Sequence, residues 1–182
     1  MASEIGPGTL LSFVCFQDLT PQQAAVALEE FEPIYLKPGQ VLCKERDTEN
    51  SAFLLVSGYA DVTKAVPGEA DHRLATLSPG AIFGEVALLT NAARSASVIA
   101  RTEAEVLRIS RAAYEKGLAH EQAWALKFLE GAAQVLARRL VAANNQLIGV
   151  VVDLREWEAQ GHGPDHREIE ELRRELFEHW AL

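Results

Sequence analysis

The chain has 182 residues, 48% hydrophobic and 24% charged, with 17 Lys and Arg against 26 Asp and Glu and a formal net charge of -9. Such a composition belongs to a globular chain long enough to bury a core, and it excludes a disordered tail. The first 32 residues contain no Lys or Arg but carry Glu4, Asp18, Glu29, Glu30 and Glu32. The basic face that DNA or RNA binding needs is therefore not supplied.

The texture from Thr9 to Phe31 is helical. Thr20 can cap and Pro21 is preset for the first helical position, with Ala25, Leu28 and Phe31 following at helical spacing. From Glu32 to Ser110 short alternating segments predict strands. These are Ile34 with Leu36, Val41 with Cys43, the apolar run 52–56, the alternation 59–64, the segment 74–77, Ala96, Val98 and Ala100, and, less regularly, Val106 and Ile109. The turn pairs Pro38-Gly39, Ser57-Gly58, Pro67-Gly68 and Pro79-Gly80 separate several of them. Strands of about five residues at such intervals argue for a β-sandwich or barrel. From Glu121 to about Trp157 a long helix is predicted, with Gly131 and Gly149 as its weak points. Gly161 to Pro164 breaks that pattern, and Asp165 caps a last acidic helix striped by Ile169, Leu172, Leu176 and Trp180.

The uncharged stretches Ile5 to Gln17 and Leu140 to Val152 carry Gly6, Pro7 and Gly8 in one and Asn144, Asn145 and Gln146 in the other. Neither has the length of a membrane span or the form of a signal peptide. Cys15 and Cys43 sit in apolar contexts and suit buried, reduced thiols, so a cytoplasmic location is expected. Of the histidines, His162 and His166 are near enough to suggest a metal, but they bracket a Gly-Pro turn, and no metal site is expected. No nucleophile-base pattern suggests an enzyme.

The segment Pro79 to Ala100 carries the chemistry. Gly84 allows close backbone approach or an unusual φ, and the helical turn after it offers free N–H groups to an anion. Arg94 can give a forked, charge-assisted pair to a phosphate, Ser95 adds a hydroxyl donor, and Ala96 leaves room. Glu85, when ionised, only accepts hydrogen bonds, which suits a sugar hydroxyl. A Glu and an Arg nine residues apart also fit a plain ion pair at a strand edge.

The run Phe83-Gly84-Glu85-Val86-Ala87-Leu88-Leu89 followed by Arg94-Ser95-Ala96 resembles the phosphate-binding cassette of cyclic nucleotide-binding domains. That family includes the sensor domains of bacterial catabolite activators and of protein kinase A regulatory subunits. Leu36 to Val41, Phe53 to Gly58 and Ala137 to Leu140 continue the resemblance, which covers about residues 13–145. It implies that Arg94 holds a cyclic phosphate, helped by Ser95 and the amides of Gly84, Ala87 and Ala96, while Glu85 holds the ribose 2′-hydroxyl. Ser95 leans the ligand towards cyclic AMP, with cyclic GMP second. Ala143 and Asn144 align with base-contacting positions on the long helix; a solvated polar site on that helix explains Asn144 and Asn145 equally well. The sequence departs from the family in having Arg46 before Asp47, where a glycine is common; the departure concerns a turn rather than the site.

Ala133, Leu136, Leu140, Ala143, Leu147, Val150 and Leu154 recur at spacings of three and four, the seam of a parallel helix pair. A homodimer through this helix is expected. Only 28 residues follow Leu154, too few for a winged-helix or helix-turn-helix reader. The stripe in the last helix is expected to pack back on the dimer, with docking of an effector protein as the other reading.

The fold expected is α+β: an antiparallel β-sandwich or jelly-roll barrel, flanking helices, and a long C-terminal dimerisation helix. The expected organisation is a nucleotide-binding β-domain over 1–120, a lid and dimer helix over 121–158, and a short acidic helix over 159–182. The expected function is a stand-alone cyclic nucleotide sensor that acts on a separate protein. A ligand-independent scaffold of the same fold is the alternative.

Overall fold

The computed structural model describes residues 5–65 and 71–159. The turn expected at Pro67-Gly68 and the helix expected over Asp165 to Leu182 lie outside the described residues. Two short helices open the chain, α1 (Pro7–Leu11) and α2 (Pro21–Glu29). Thr20 caps α2 as its sequence predicts: its hydroxyl accepts from the Gln23 N–H at 3.2 Å and the Gln23 side chain accepts from the Thr20 N–H at 2.9 Å.

Among the described residues eight strands follow, interrupted by one helix: β1 (Glu32–Leu36), β2 (Val41–Cys43), β3 (Ser51–Ser57), β4 (Ala60–Lys64), β5 (His72–Leu77), β6 (Ile82–Phe83), α3 (Glu85–Thr90), β7 (Ser97–Ala100) and β8 (Ala104–Ser110). They form two antiparallel sheets, one ordered β1-β8-β3-β6 and the other β2-β7-β4-β5. The antiparallel, helix-flanked architecture is the one expected.

The apolar run of β3 is continuous because both its faces are covered. Phe53 and Leu55 join Leu36, Val98, Ala100 and Val106 in a core shared by the two sheets. Ala52 and Leu54 point the other way, to a second core with Phe13, Phe16, Phe31, Trp124 and Phe128 from the helical segments. The β1-β8-β3-β6 sheet is thus a layer between its sister sheet and a helical cover.

Two helices complete the described residues. The first, α4 (Arg111–Ala119), is not foreseen from the sequence, although Ser110 caps it by accepting from the Ala113 N–H at 3.1 Å. The second, α5 (Ala123–Ala159), begins two residues later than expected, since Glu121 takes φ +52° and closes the preceding turn. Gly131 proves to be a packing device: a Cβ there would strike the Cys15 side chain, so glycine lets the N-terminal segment lie against α5.

The chain divides into two units, Met1–Val135 and Leu136–Leu182. Within the first, α5 contributes the buried Trp124, Ala125, Phe128 and Ala132, while Leu126 and Leu129 are exposed. In the second, Leu140, Val141, Ile148, Val150, Val152 and Leu154 are exposed, and Leu136 and Leu147 are half-buried. By length and composition α5 is apolar enough to cross a membrane, with one 18-residue stretch reaching a mean hydropathy of 1.2. Its apolar residues nevertheless recur at three and four, and Leu126 and Leu129 carry that spacing one heptad further towards the N-terminus than the sequence reading does.

Candidate functional site

The segment from Phe83 to Ala96 is built around two left-handed residues. Gly84 caps α3 with φ +75°, and Asn91 ends it with φ +60°. The Asn50 side chain donates to Asn91 Oδ1 and ties this end to the loop before β3. Glycine at position 84 meets two demands at once. Its φ is one that other residues rarely adopt, and a Cβ there would lie 2.6 Å from Arg94 Nη1 and 2.9 Å from the Ser51 carbonyl oxygen. The close approach at Gly84 is therefore that of Arg94 itself.

Arg94 is only 4% exposed. Its Nη1 donates to the carbonyls of Ser51 at 2.6 Å and Gly84 at 3.3 Å, and its guanidinium carbon lies 5.3 Å from the centre of the Phe53 ring. The charge is thus met by carbonyl oxygens and a ring face. Nε and Nη2 are buried and have no hydrogen-bond partner among the described residues. The Arg94 backbone is clamped as well: its N–H donates to the Asp47 carbonyl at 2.8 Å and its carbonyl accepts from the Arg46 N–H at 2.9 Å. Arg46 takes φ +70°. It adopts the conformation for which the family commonly uses glycine, and the turn that seemed remote from the site hydrogen-bonds its central arginine.

Glu85 is the first residue of α3 and 0% exposed. A six-residue helix has little dipole, so what α3 offers an anion is a few first-turn N–H groups. Ala87 is buried, Val86 and Ala96 half-buried, and Ser95 exposed. Phe83 is a core residue: its ring stacks on Phe53 with centroids 5.3 Å apart, beneath Arg94. Cys43, on β2, has its thiol pushed up by burial, while the nearby positive charge of Arg94 pulls it the other way. Ala143 and Asn144 stand on α5 in the second unit, the first exposed and the second half-buried. Ser51 and Phe53, which orient Arg94, were not foreseen. They come from a strand some forty residues away, and no local signal marks them.

Residues 33–121 match the family model of the cyclic nucleotide-binding domain. That segment belongs to the cyclic nucleotide-binding domain family.

Two curated relatives are similar over the same region. A cAMP-dependent protein kinase regulatory subunit from Colletotrichum orbiculare is 35% identical over 100 residues, covering 55% of this chain and 25% of the relative. A cyclic AMP receptor protein from Thermus thermophilus is 32% identical over 99 residues, covering 54% of this chain and 46% of the relative. The chain therefore spans a quarter of one and under half of the other. Among solved structures, the Thermus thermophilus catabolite activator protein superposes with a TM-score of 0.66 at 28% identity, over 82% of this chain and 73% of that one.

Proposed function

We propose that the protein is a cyclic nucleotide sensor, with cyclic AMP as the first ligand and cyclic GMP as the second, whose signal passes through α5 to a separate protein. The observation that carries this reading is Arg94, a buried guanidinium with Nε and Nη2 uncommitted. A buried cation is costly unless its N–H groups are satisfied, and a phosphate satisfies two of them at once in the fork geometry of arginine. Glu85, buried in the same segment, takes the ribose 2′-hydroxyl in this reading. Ser95 and the amides of Gly84, Ala87 and Ala96 assist at the phosphate, and Ala143 and Asn144 serve the base. The names of both relatives, which specify cyclic AMP, support the ligand.

The ligand acts by binding one arrangement of the chain better than another, and its leverage is limited by that difference. The seam through Leu136, Leu140, Leu147, Val150 and Leu154 forms a homodimer, to which Leu126 and Leu129 add a heptad. In this reading the chain is a cytoplasmic, non-catalytic regulator, divided into a sensor over 1–120, a helix over 121–158 and an acidic tail over 159–182.

Titration calorimetry tests the proposal. Cyclic AMP binds the wild type at micromolar concentration or tighter, and Arg94→Lys, which keeps the charge but loses the fork, weakens it by about 30-fold, or ~2 kcal/mol. Well-folded protein that takes up neither nucleotide overturns the sensor. A partner captured equally with and without nucleotide then identifies a scaffold.

A further inference from the structure

Arg108, on β8, uses its whole guanidinium fork. Nε donates to Ser51 Oγ at 2.9 Å, Nη1 reaches Glu32 at 2.8 Å, and Nη2 reaches Glu49 at 2.6 Å. Ser51 Oγ donates in turn to Glu49 Oε1 at 2.9 Å, closing a ring of three side chains. β8 is the strand between β1 and β3, and Glu32 lies directly across from Arg108 in the ladder. Through Arg108 the first residue of β3 is thus tied to β8 and, beyond it, to β1. Ser51 is 1% exposed, so water does not replace these bonds if they are lost.

Ser51 faces two ways. Its hydroxyl belongs to this ring, and its carbonyl is the acceptor for Arg94 Nη1 at 2.6 Å. We propose that Arg108 is a positioning residue for Arg94: with Glu49 it holds Ser51, and so fixes the carbonyl that aims the anion-binding guanidinium. As ion pairs these contacts contribute little to stability, since the carboxylates of Glu32 and Glu49 are largely exposed. Their effect is geometric. A forked phosphate contact tolerates errors of only about half an ångström, so the placing of the Ser51 carbonyl matters.

The ligand part of this inference rests on the proposed function; the positioning part does not. The test therefore reads both, by nitrogen-proton spectra of the arginine Nε–H groups and by cyclic AMP titration. The Arg94 signal is assigned by its loss in Arg94→Lys. In Arg108→Met it shifts and exchanges faster with water, and affinity falls about tenfold while the melting temperature changes by a few degrees at most. Glu49→Gln, whose amide oxygen can still accept from Arg108 and Ser51, stays near wild type, whereas Glu49→Ala behaves like Arg108→Met. An Arg94 signal unchanged in Arg108→Met overturns the positioning role whether or not nucleotide binds. A wild type that binds no nucleotide overturns the ligand reading alone, because the spectrum still reports on Arg94.

Discussion

The Phe83–Ala96 segment and α5 beyond Leu136 invert the usual burial rule in opposite ways. The first buries a charge: Arg94 is 4% exposed with two of its donor nitrogens uncommitted. The second exposes apolar side chains, Leu140, Val141, Ile148, Val150, Val152 and Leu154 among them. Globular chains rarely hold either arrangement without a partner, because an unsatisfied buried polar group and a contiguous exposed apolar stripe both cost free energy. What differs is the chemistry of the partner each calls for. Forked donors against a ring face suit a small anion, whereas a three-four apolar repeat suits another helix.

That contrast can be broken at each end. The largest effect is expected on α5. Leu140→Glu removes an apolar side chain and adds a charge in both copies of the proposed dimer, about 4 kcal/mol in all, or roughly a thousandfold in dimer affinity. Sedimentation checks it: wild type runs as a dimer and the variant as a monomer. Leu126→Glu, on the added heptad, weakens the dimer too. A wild type that is monomeric at high concentration removes the seam altogether.

Next comes Gly84→Ala in the other region. The φ of +75° and the approach of Arg94 Nη1 and the Ser51 carbonyl make a methyl group there strained and crowded. A destabilisation of about 3 kcal/mol is expected in denaturant unfolding, with weaker nucleotide binding alongside. A variant as stable as wild type contradicts the packing described around Arg94.

The smallest effect concerns Cys15, packed against Gly131. Burial pushes its thiol up from 9.0 to about 12. Between those values the unfolded chain releases the proton and the folded chain keeps it, so stability falls as pH rises above 9. One unit above 9 the loss is about 1 kcal/mol. Cys15→Ala, which keeps the Cβ, is expected to lose less stability over that range when the two are unfolded side by side. Equal losses show that Cys15 is not held in its protonated form.

The cassette was legible in the sequence because its parts lie close together: Gly84, Glu85, Arg94, Ser95 and Ala96 span 13 residues, and their types state their chemistry. The strands were legible where turns bounded them, and β3 as an apolar run; that Phe53 and Leu55 enter one core and Ala52 and Leu54 another is visible only in the structure. What escaped is non-local or conformational. Ser51 and Arg108 reach the site only through sheet pairing. Arg46 takes a left-handed φ that its side chain does not advertise, and the turn it makes holds the Arg94 backbone. The short β6 and α4 lacked a periodic signal long enough to declare itself.

The central claim, that Arg94 is held ready for a phosphate, is tested most directly by melting wild type and Arg94→Met with and without cyclic AMP. Without nucleotide, the variant is expected to melt close to wild type, because it removes two unpaired buried nitrogens together with the hydrogen bonds of Nη1 to the Ser51 and Gly84 carbonyls. At a concentration about 100 times the dissociation constant, cyclic AMP stabilises wild type by about 2.7 kcal/mol, a rise of roughly 5–10 °C, and leaves the variant unmoved. No rise in wild type at millimolar nucleotide, or the same rise in both proteins, contradicts the account.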